Sequence, residues 1–578
     1  MISVKEKYLS SLAKEYPTIQ SICCEIINLK ASLNLPKGTE HYISDLHGEY
    51  KLFKHLMNNC SGVIKEKVKL LFKDEISSAR INELCYLVYY PNKLLSSQQY
   101  NQKWYKETIL QLIRLARYIT SKYSRRKVRD NINNEYSEII DELLHAQLDE
   151  MDQQYVYHLR IIDSIIELGE QNYFIESLTK IIKYFAIDQL HILGDIYDRG
   201  KEPDKIIDDL IKFSRVDIQW GNHDILWMGA YLGNYACIIT VVKNCIKYQN
   251  LDLLEKSYGI PLRVLMMHAS QCYPDLDCLK AMDALTTKLL IKLETRLIIT
   301  YPEWQMKYRL VNPDNSPFNK IELLIIDDLK RSFTSSKRLK EHIIFIYEHG
   351  SLYLKTNHNL LLHGCVPLDE KGNFYQQNCF GKQLSGRAYF DFINNKIKQA
   401  FNSPNQELID YFWYLWCAYK SPLCGRKIVL DRQQEEIKDP YYYYINEEAT
   451  CLKILDEFNL NDSMRLIING HTPVRVKDGE NPVKGNNRCV VIDGGFCLQY
   501  QGKTGVAGYT LISNSHGMRL KTHLINDKYT FNINNDMEYD SRIIYTRKNQ
   551  ELIIDTKQGE IIMEKISDLK KLLKTYRN

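Results

Sequence analysis

A chain of 578 residues, 44% hydrophobic and 25% charged, is long enough for a large core and more than one structural unit. Its 76 Lys and Arg against 71 Asp and Glu leave a net charge of only +5, too weak over this length to call for nucleic acid or a membrane as partner. No run approaches the roughly 18 apolar residues of a transmembrane helix, and Met1 to Gln20 contains no continuous apolar segment of a secretion signal. The 15 cysteines are scattered with no paired CxxC units, the pattern of reduced thiols in a cytoplasmic protein.

Along the chain, short β-like runs are separated by long helical stretches, without repeats or a Pro/Gly/Ser-rich linker. Thr39 to Ser44 reads as a strand running into Asp45. Gln189 to Leu193 ends at Gly194-Asp195, and Val216 to Trp220 ends at Gly221-Asn222. Asn359 to Leu362 ends at His363, Arg465 to Ile468 at Asn469-Gly470-His471, and Cys489 to Ile492 at Asp493-Gly494-Gly495. Between the first two strands, Ile140, Leu143, Leu144, Leu148 and Met151 follow helical spacing, as do Phe174, Leu178, Ile181, Ile182 and Phe185. A second helical block runs from about Ile225 to Tyr347, broken near Pro261, Pro274 and Pro302. In the tail, Tyr509 to Ile512 and Glu551 to Asp555 alternate as strands, and Ile566 to Tyr576 is helical. The expected organisation is an α/β catalytic core (38–60, 186–225 and 350–500), interrupted by helical insertions at 61–185 and 226–349. A C-terminal β/α segment, 501–578, follows it.

Five motifs stand at these strand ends: Asp45-Leu-His47-Gly48-Glu49, Gly194-Asp195-Ile-Tyr-Asp198-Arg199-Gly200, Gly221-Asn222-His223-Asp224, His363-Gly364 and Gly470-His471-Thr472. Rigid strands fix the loops that follow them, which is where such folds carry ligand groups. Each motif alone is an ordinary turn or a chance pairing; together and in this order they point to one site. Carboxylate, amide oxygen and neutral imidazole suit borderline divalent ions such as manganese, iron or zinc. Asp195 can bridge two ions, and two ions about 3.5–4 Å apart polarise a phosphoryl group and deprotonate a shared water.

These motifs resemble those of the calcineurin-like metallophosphoesterase superfamily, in its phosphoprotein-phosphatase branch. The resemblance implies a β-sandwich flanked by helices, with Asp45 and His47 on a first metal, Asp195 bridging, and Asn222, His363 and His471 on a second. It also implies His223 as the acid that protonates the leaving group, oriented by Asp198, with Arg199 on the phosphate. A carboxylate beside a histidine keeps it protonated near neutrality, and a guanidinium fork matches two phosphoryl oxygens.

The long insertions, with Ser421-Pro-Leu-Cys-Gly425-Arg-Lys427, Asp439-Pro-Tyr-Tyr, Asn469-Gly-His-Thr-Pro-Val474, Asp493-Gly-Gly495 and Gly505-Val-Ala-Gly-Tyr-Thr510, make nearly the whole chain similar to class 3 fructose-1,6-bisphosphatase. That resemblance implies hydrolysis of a small phosphorylated sugar in bacterial gluconeogenesis, with two manganese ions per chain. Cys424 departs from the aromatic residue expected there. A homo-oligomer is compatible with the sequence. The second phosphate of the substrate needs a cationic seat, for which Arg426 and Lys427 are the candidates, with Lys420 and Arg387. Lys122, Arg125, Arg126, Lys127 and Arg129 read as helix-surface charge or a connection, since no aromatic platform for nucleic acid interleaves them. The rival readings are a protein Ser/Thr phosphatase, a dinucleoside polyphosphate hydrolase on the same centre, and a scaffold without activity.

Overall fold

A computed structural model describes residues 4–132, 135–145, 152–310, 312–427, 436–524, 531–533 and 536–577. The chain begins one sheet, builds a second and returns to the first. Glu40–Ile43 (β1), Gln189–Ile192 (β2), Val216–Gln219 (β3) and Gly350–Ser351 (β4) run parallel side by side. Tyr353–Thr356 (β5), Asn359–Leu362 (β6), Leu466–Asn469 (β7), Val483–Lys484 (β8) and Cys489–Val491 (β9) form the second sheet in the order β8-β9-β7-β6-β5. Its centre, β9-β7-β6, is parallel and its two edges antiparallel. Tyr509–Asn514 (β10), Gly517–His523 (β11) and Tyr539–Thr546 (β12) then complete the first sheet antiparallel, giving β12-β11-β10-β1-β2-β3-β4. The short central strands are buried almost throughout, as expected where parallel strands are covered on both faces. Tyr42, Ile192 and Ile218 of one sheet and Leu361, Ile467 and Val490 of the other belong to one hydrophobic core.

The sheets meet at strand ends. Gly470 donates its N–H to the His363 carbonyl (2.9 Å), and a Cβ at Gly470 would lie 1.9 Å from Ser44 Oγ and 2.5 Å from Asp45 Oδ2. Only glycine permits that approach.

Two helical regions fill the long connections. Between β1 and β2, the helix Tyr50–Asn59 puts Leu52, Phe53 and Leu56 into the core of the sheets, and the helices from Val63–Phe72 to Gln171–Ala186 build a hydrophobic core of their own around Val68, Leu84, Ile109, Leu112, Phe174 and Phe185. Ile140, Leu143 and Leu144 line the buried side of the helix Ser137–His145, as the spacing predicts; Leu148 and Met151 lie outside the described residues. Helices from Asn222–Tyr231 to Lys337–Glu348, between β3 and β4, break near Pro261, Pro274 and Pro302. Their Leu285, Leu289, Ile326 and Phe333 belong to the core of the sheets. A third, small cluster joins Leu12, Ile22 and Ile26 to Ile566 and Leu569 of the C-terminal helix Lys557–Arg577.

The strand predicted over Glu551 to Asp555 is instead a lone bridge, Pro36 to Leu552, followed by a 3₁₀ turn at Ile553–Asp555. The Asp555 carboxylate accepts the Leu552 N–H (3.1 Å) and closes the turn, a local competition that Asp wins against extended backbone. The basic cluster is a connection. Asp188, at the start of β2, takes Lys127 Nζ (3.0 Å), Lys122 Nζ (3.3 Å), the Thr39 N–H (2.8 Å) and the Tyr123 hydroxyl. Arg126 reaches Glu25 (2.6 Å) and Arg125 Asp141 (3.2 Å). No single described helix is long and apolar enough to cross a membrane.

Candidate metal centre and phosphate site

The loops after β1, β2, β3, β6 and β7 converge. Asp45, His47, Asp195, Asp198, Arg199 and His471 all have φ between 45° and 69°, a left-handed conformation that costs a non-glycine residue energy and collects at functional sites. Backbone bonds lock the first two loops together: Asp45 N–H to Gly194 O (3.0 Å), His47 N–H to Asp195 O (2.8 Å) and Gly200 N–H to His47 O (2.7 Å). The buried Asp224 carboxylate accepts the N–H groups of Asp195, Ile196 and Gly221, each at 2.9 Å.

The side chains meet at Asp195. Its Oδ2 lies 3.5 Å from His363 Nε2, 3.8 Å from His47 Nε2 and 3.9 Å from His223 Nε2. His47 Nε2 is also 3.9 Å from Asp45 Oδ1, and His363 Nε2 is 3.1 Å from His471 Nδ1. Each imidazole that faces the cluster is pinned by its other nitrogen to a carbonyl: His47 Nδ1 to Tyr197 O (3.1 Å), His363 Nδ1 to Leu193 O (2.6 Å), His471 Nε2 to Cys424 O (2.7 Å). Donating there fixes the tautomer and turns a lone pair inward, the arrangement of a metal-ligating histidine. Burial, then Arg199, holds His47 well below the usual imidazole range, and burial, then Arg426, does the same to His471; both are neutral, as ligands must be.

The cluster fits a cation on its own chemistry. The Asn222 amide oxygen faces only acceptors, Asp195 Oδ1 and Oδ2 and His471 Nδ1, at 3.2–3.3 Å. Turning the amide over lets its nitrogen donate to them; a cation between them would instead hold it oxygen-inward. Burial pushes Asp195 above the ordinary carboxylate range, opposed by His223 and reinforced by Asp45 and Asp224. Burial, with Asp45 next to it, pushes Asp493 up as well. Buried carboxylates this close demand positive charge. His47, Asp195 and His223 form one set of groups able to surround an ion, and Asp195, His363 and His471 another.

His223 differs from the other imidazoles. Its Nδ1 bonds a carboxylate, Asp198 Oδ2 (2.6 Å), and Asp198 is fully engaged, with Trp227 Nε1 at 3.0 Å and Asn244 Nδ2 at 2.8 Å. That leaves His223 Nε2 facing the centre with a held ring, packed edge-on against Trp416. Arg199 stacks on the Tyr500 ring (4.5 Å) and its buried Nε has no hydrogen-bond partner among the described residues. Arg426 Nη2 bonds His471 O (3.0 Å) and Thr472 Oγ1 (3.1 Å).

The structure does not bring every candidate to this place. Lys427, next to Arg426 on a short strand and so on its opposite face, lies over the Tyr308 ring. Lys420 is consumed by Asp439 (2.7 Å) and Leu368 O, and Arg387 pairs with Asp391 (3.5 Å). Ser44 sets its hydroxyl against Asp45 Oδ2, where the positive φ of Asp45 ends the strand alternation. Cys365 is buried against Ser421 O, and burial holds its thiol far above the usual range. Cys424 supports His471 through its backbone carbonyl, so its departure in side chain leaves that contact untouched. Asp224, Trp227, Asn244 and Tyr500 were not legible as site residues. Asp224 alone carried a signal, its place in the Gly-Asn-His-Asp motif.

Two mixed sheets, with a buried cluster of His, Asp and Asn at their strand ends beside two arginines, define a mixed α/β protein built around a candidate divalent-metal and phosphate site. The family model described as Firmicute fructose-1,6-bisphosphatase matches residues 7–311 and 285–578. The chain is 40% identical to "Fructose-1,6-bisphosphatase class 3 1" of Clostridium beijerinckii, over 100% of this chain and 97% of that one. It is 39% identical to the class 3 enzyme of Clostridium botulinum, over 99% and 96%. The chain belongs to the Firmicute fructose-1,6-bisphosphatase family. Among solved structures it is similar to a cold-active protein tyrosine phosphatase at a TM-score of 0.27 and 14% identity, over 58% of this chain and 65% of that one; so low a score carries no argument.

Proposed function

We propose that the chain hydrolyses the 1-phosphate of fructose 1,6-bisphosphate, giving fructose 6-phosphate and phosphate, as a metal-dependent phosphoric monoester hydrolase. The observation that carries this reading is the convergence of His47, His363 and His471 on Asp195, each pinned by its outer nitrogen to a carbonyl. The relatives' names supply the substrate. Asp45 and His47 would hold one ion, Asn222, His363 and His471 the other, with Asp195 shared. Manganese suits this mixture of imidazole and oxygen better than magnesium, which prefers oxygen alone. The two mixed sheets with their site at the strand ends support a calcineurin-like sandwich, with 61–185 and 226–349 as helical insertions. The reading carries a place in gluconeogenesis in the cytoplasm.

Ions held by these residues would supply Lewis-acid polarisation of the phosphoryl group and make a bound water more acidic. Arg199, its Nε free of other partners, grips phosphoryl oxygens and sets the phosphate in line for attack. His223, with Nδ1 held on Asp198, delivers a proton from Nε2 to the departing sugar oxygen. Asp198 keeps that ring oriented through its contact with Nδ1. Ser44 and Cys365 have no part as nucleophiles, the one set against Asp45 and the other a buried neutral thiol, so water attacks directly and no phosphoenzyme forms.

The test is phosphate release, with manganese added, from a panel of fructose 1,6-bisphosphate, other sugar phosphates, a phosphopeptide and a dinucleoside polyphosphate. Fructose 1,6-bisphosphate should lead the panel in kcat/KM, and chelation should abolish turnover that manganese restores better than magnesium. A phosphopeptide or dinucleotide leading it sinks the substrate assignment; full activity after chelation sinks the metal centre.

A further inference from the structure

A bisphosphate needs a second cationic seat, one sugar away from the reacting phosphate. Most basic residues near the site are spent: Lys420 on Asp439, Lys484 on Glu480 (2.9 Å), Lys427 over Tyr308. One is not. Arg426–Lys427 pairs antiparallel with Ile437–Lys438, and the register sets Lys438 directly opposite Arg426. Directly opposed residues of an antiparallel pair project from the same face, so Lys438 shares the side on which Arg426 reaches His471 O and Thr472 Oγ1. Lys438 lines a cavity of about 570 Å³ that also reaches Thr472, Asn469 and Tyr442. The cavity therefore begins one residue from the metal-centre histidine His471.

Of the charged groups lining this cavity, Asp439 and Glu480 are neutralised by Lys420 and Lys484, while Lys438 and Glu370 have no ion-pair partner among the described residues. Burial, then Arg426, lowers the Lys438 ammonium from its usual value, and Arg475 and Lys484 add to this against Glu480. Arg426 Nε is buried without a hydrogen-bond partner among the described residues. Glu436 answers only one end of that guanidinium, at 3.3 Å from Nη1. Two cations held side by side, with donors to spare, are relieved by a dianion.

We propose that Lys438, paired across the hairpin with Arg426 and opening on the cavity beside Thr472, seats the far phosphate of the sugar and makes the site selective for a bisphosphate over a monophosphate. This rests on the reading of the substrate as a sugar bisphosphate. Arg426 links the two ends of the site, since the same guanidinium that faces Lys438 also braces the His471 loop. Lys438 makes no such brace. Its side chain is exposed enough to be removed without disturbing the fold, and Tyr419 meets only its carbonyl.

The experiment compares Lys438→Ala with the wild-type enzyme on fructose 1,6-bisphosphate and on fructose 1-phosphate, which lacks the far phosphate. KM for the bisphosphate should rise about tenfold or more, the size of a lost charge-assisted contact, with kcat kept and KM for the monophosphate unchanged. Lys438→Arg should recover most of the loss. An unchanged KM for the bisphosphate, or equal rises on both substrates, overturns the seat while leaving the substrate reading in place. A wild-type enzyme that hydrolyses fructose 1-phosphate no worse than the bisphosphate overturns the substrate reading, and the seat with it.

Discussion

The two helical regions are similar in kind and opposite in their relation to the site. Between β1 and β2, the helices from Val63–Phe72 to Gln171–Ala186 pack on a core of their own, and none of the contacts described for the site comes from them. They meet the sheets through Ile512, which shares their core, and through ion pairs at Asp188 and between Glu66 and Arg519 and Lys521. The region between β3 and β4 shares the core of the sheets and supplies the site's supports. Trp227 and Asn244 hold Asp198, Asn250 Nδ2 bonds Gly200 O at 3.0 Å, and Tyr258 meets the Tyr197 hydroxyl at 3.1 Å. Fusion to a core transmits position; a tether of ion pairs transmits mainly stability. The first region is therefore free to vary in ways the second is not.

The sharpest way to break that contrast starts at His223, the proposed acid, whose partner Asp198 the second region holds. His223→Ala should lower kcat on the sugar phosphate by roughly 10²–10⁴. On nitrophenyl phosphate, whose leaving group needs little proton help, the loss should be much smaller. Equal losses on both would make His223 a structural group and remove the reason for its elaborate support.

One contact further out, Asn244→Ala removes one of the two donors, Trp227 and Asn244, that hold Asp198 beside His223. The expected drop in kcat is about tenfold, the low end for partners that orient a functional group, with KM little changed. Unchanged kcat would mean that Trp227 alone suffices and that the second region supports the site less than its contacts imply.

The first region should fail differently. Burial opposes ionisation of Asp188, but Lys122 and Lys127 overcome it and bring the carboxyl to about 2. Its folded value lies below the unfolded one, so this contribution is complete above about pH 4 and is lost as pH falls toward 2, on the order of 2–3 kcal/mol in all. Asp188→Asn strands two partly buried lysines. It should lower the thermal midpoint at pH 7, flatten the acid limb of stability below pH 4, and leave kcat and KM of the folded enzyme unchanged. A changed kcat would show that the tether also positions the site.

The chain order of strands and helical blocks was legible because it is local. A few apolar residues ending at Gly, Asp, Asn or His mark a strand and its loop, and helical spacing marks Phe174, Leu178 and Phe185 as buried. Misreadings came where local rules compete. Glu551 to Asp555 alternates like a strand, yet the Asp555 carboxylate closes a turn. At Asp45 a positive φ likewise ends the strand alternation and sets the Ser44 hydroxyl against the Asp45 carboxylate.

By itself the sequence determined which chemical groups stand at the ends of which strands, since motif and strand are adjacent in the chain. Tertiary structure alone decided which cations are free. Arg426, Lys427, Lys420 and Lys438 are equal on paper, and only the hairpin register and the ion pairs of Asp439 and Glu480 separate them. It also decided that one helical block supports the acid while the other stands apart. Such facts live in contacts between distant residues, as when the His471 N–H reaches Asp45 Oδ2 across 426 positions. No window of sequence contains both partners; the fold brings them together by burying a core that all the intervening residues share.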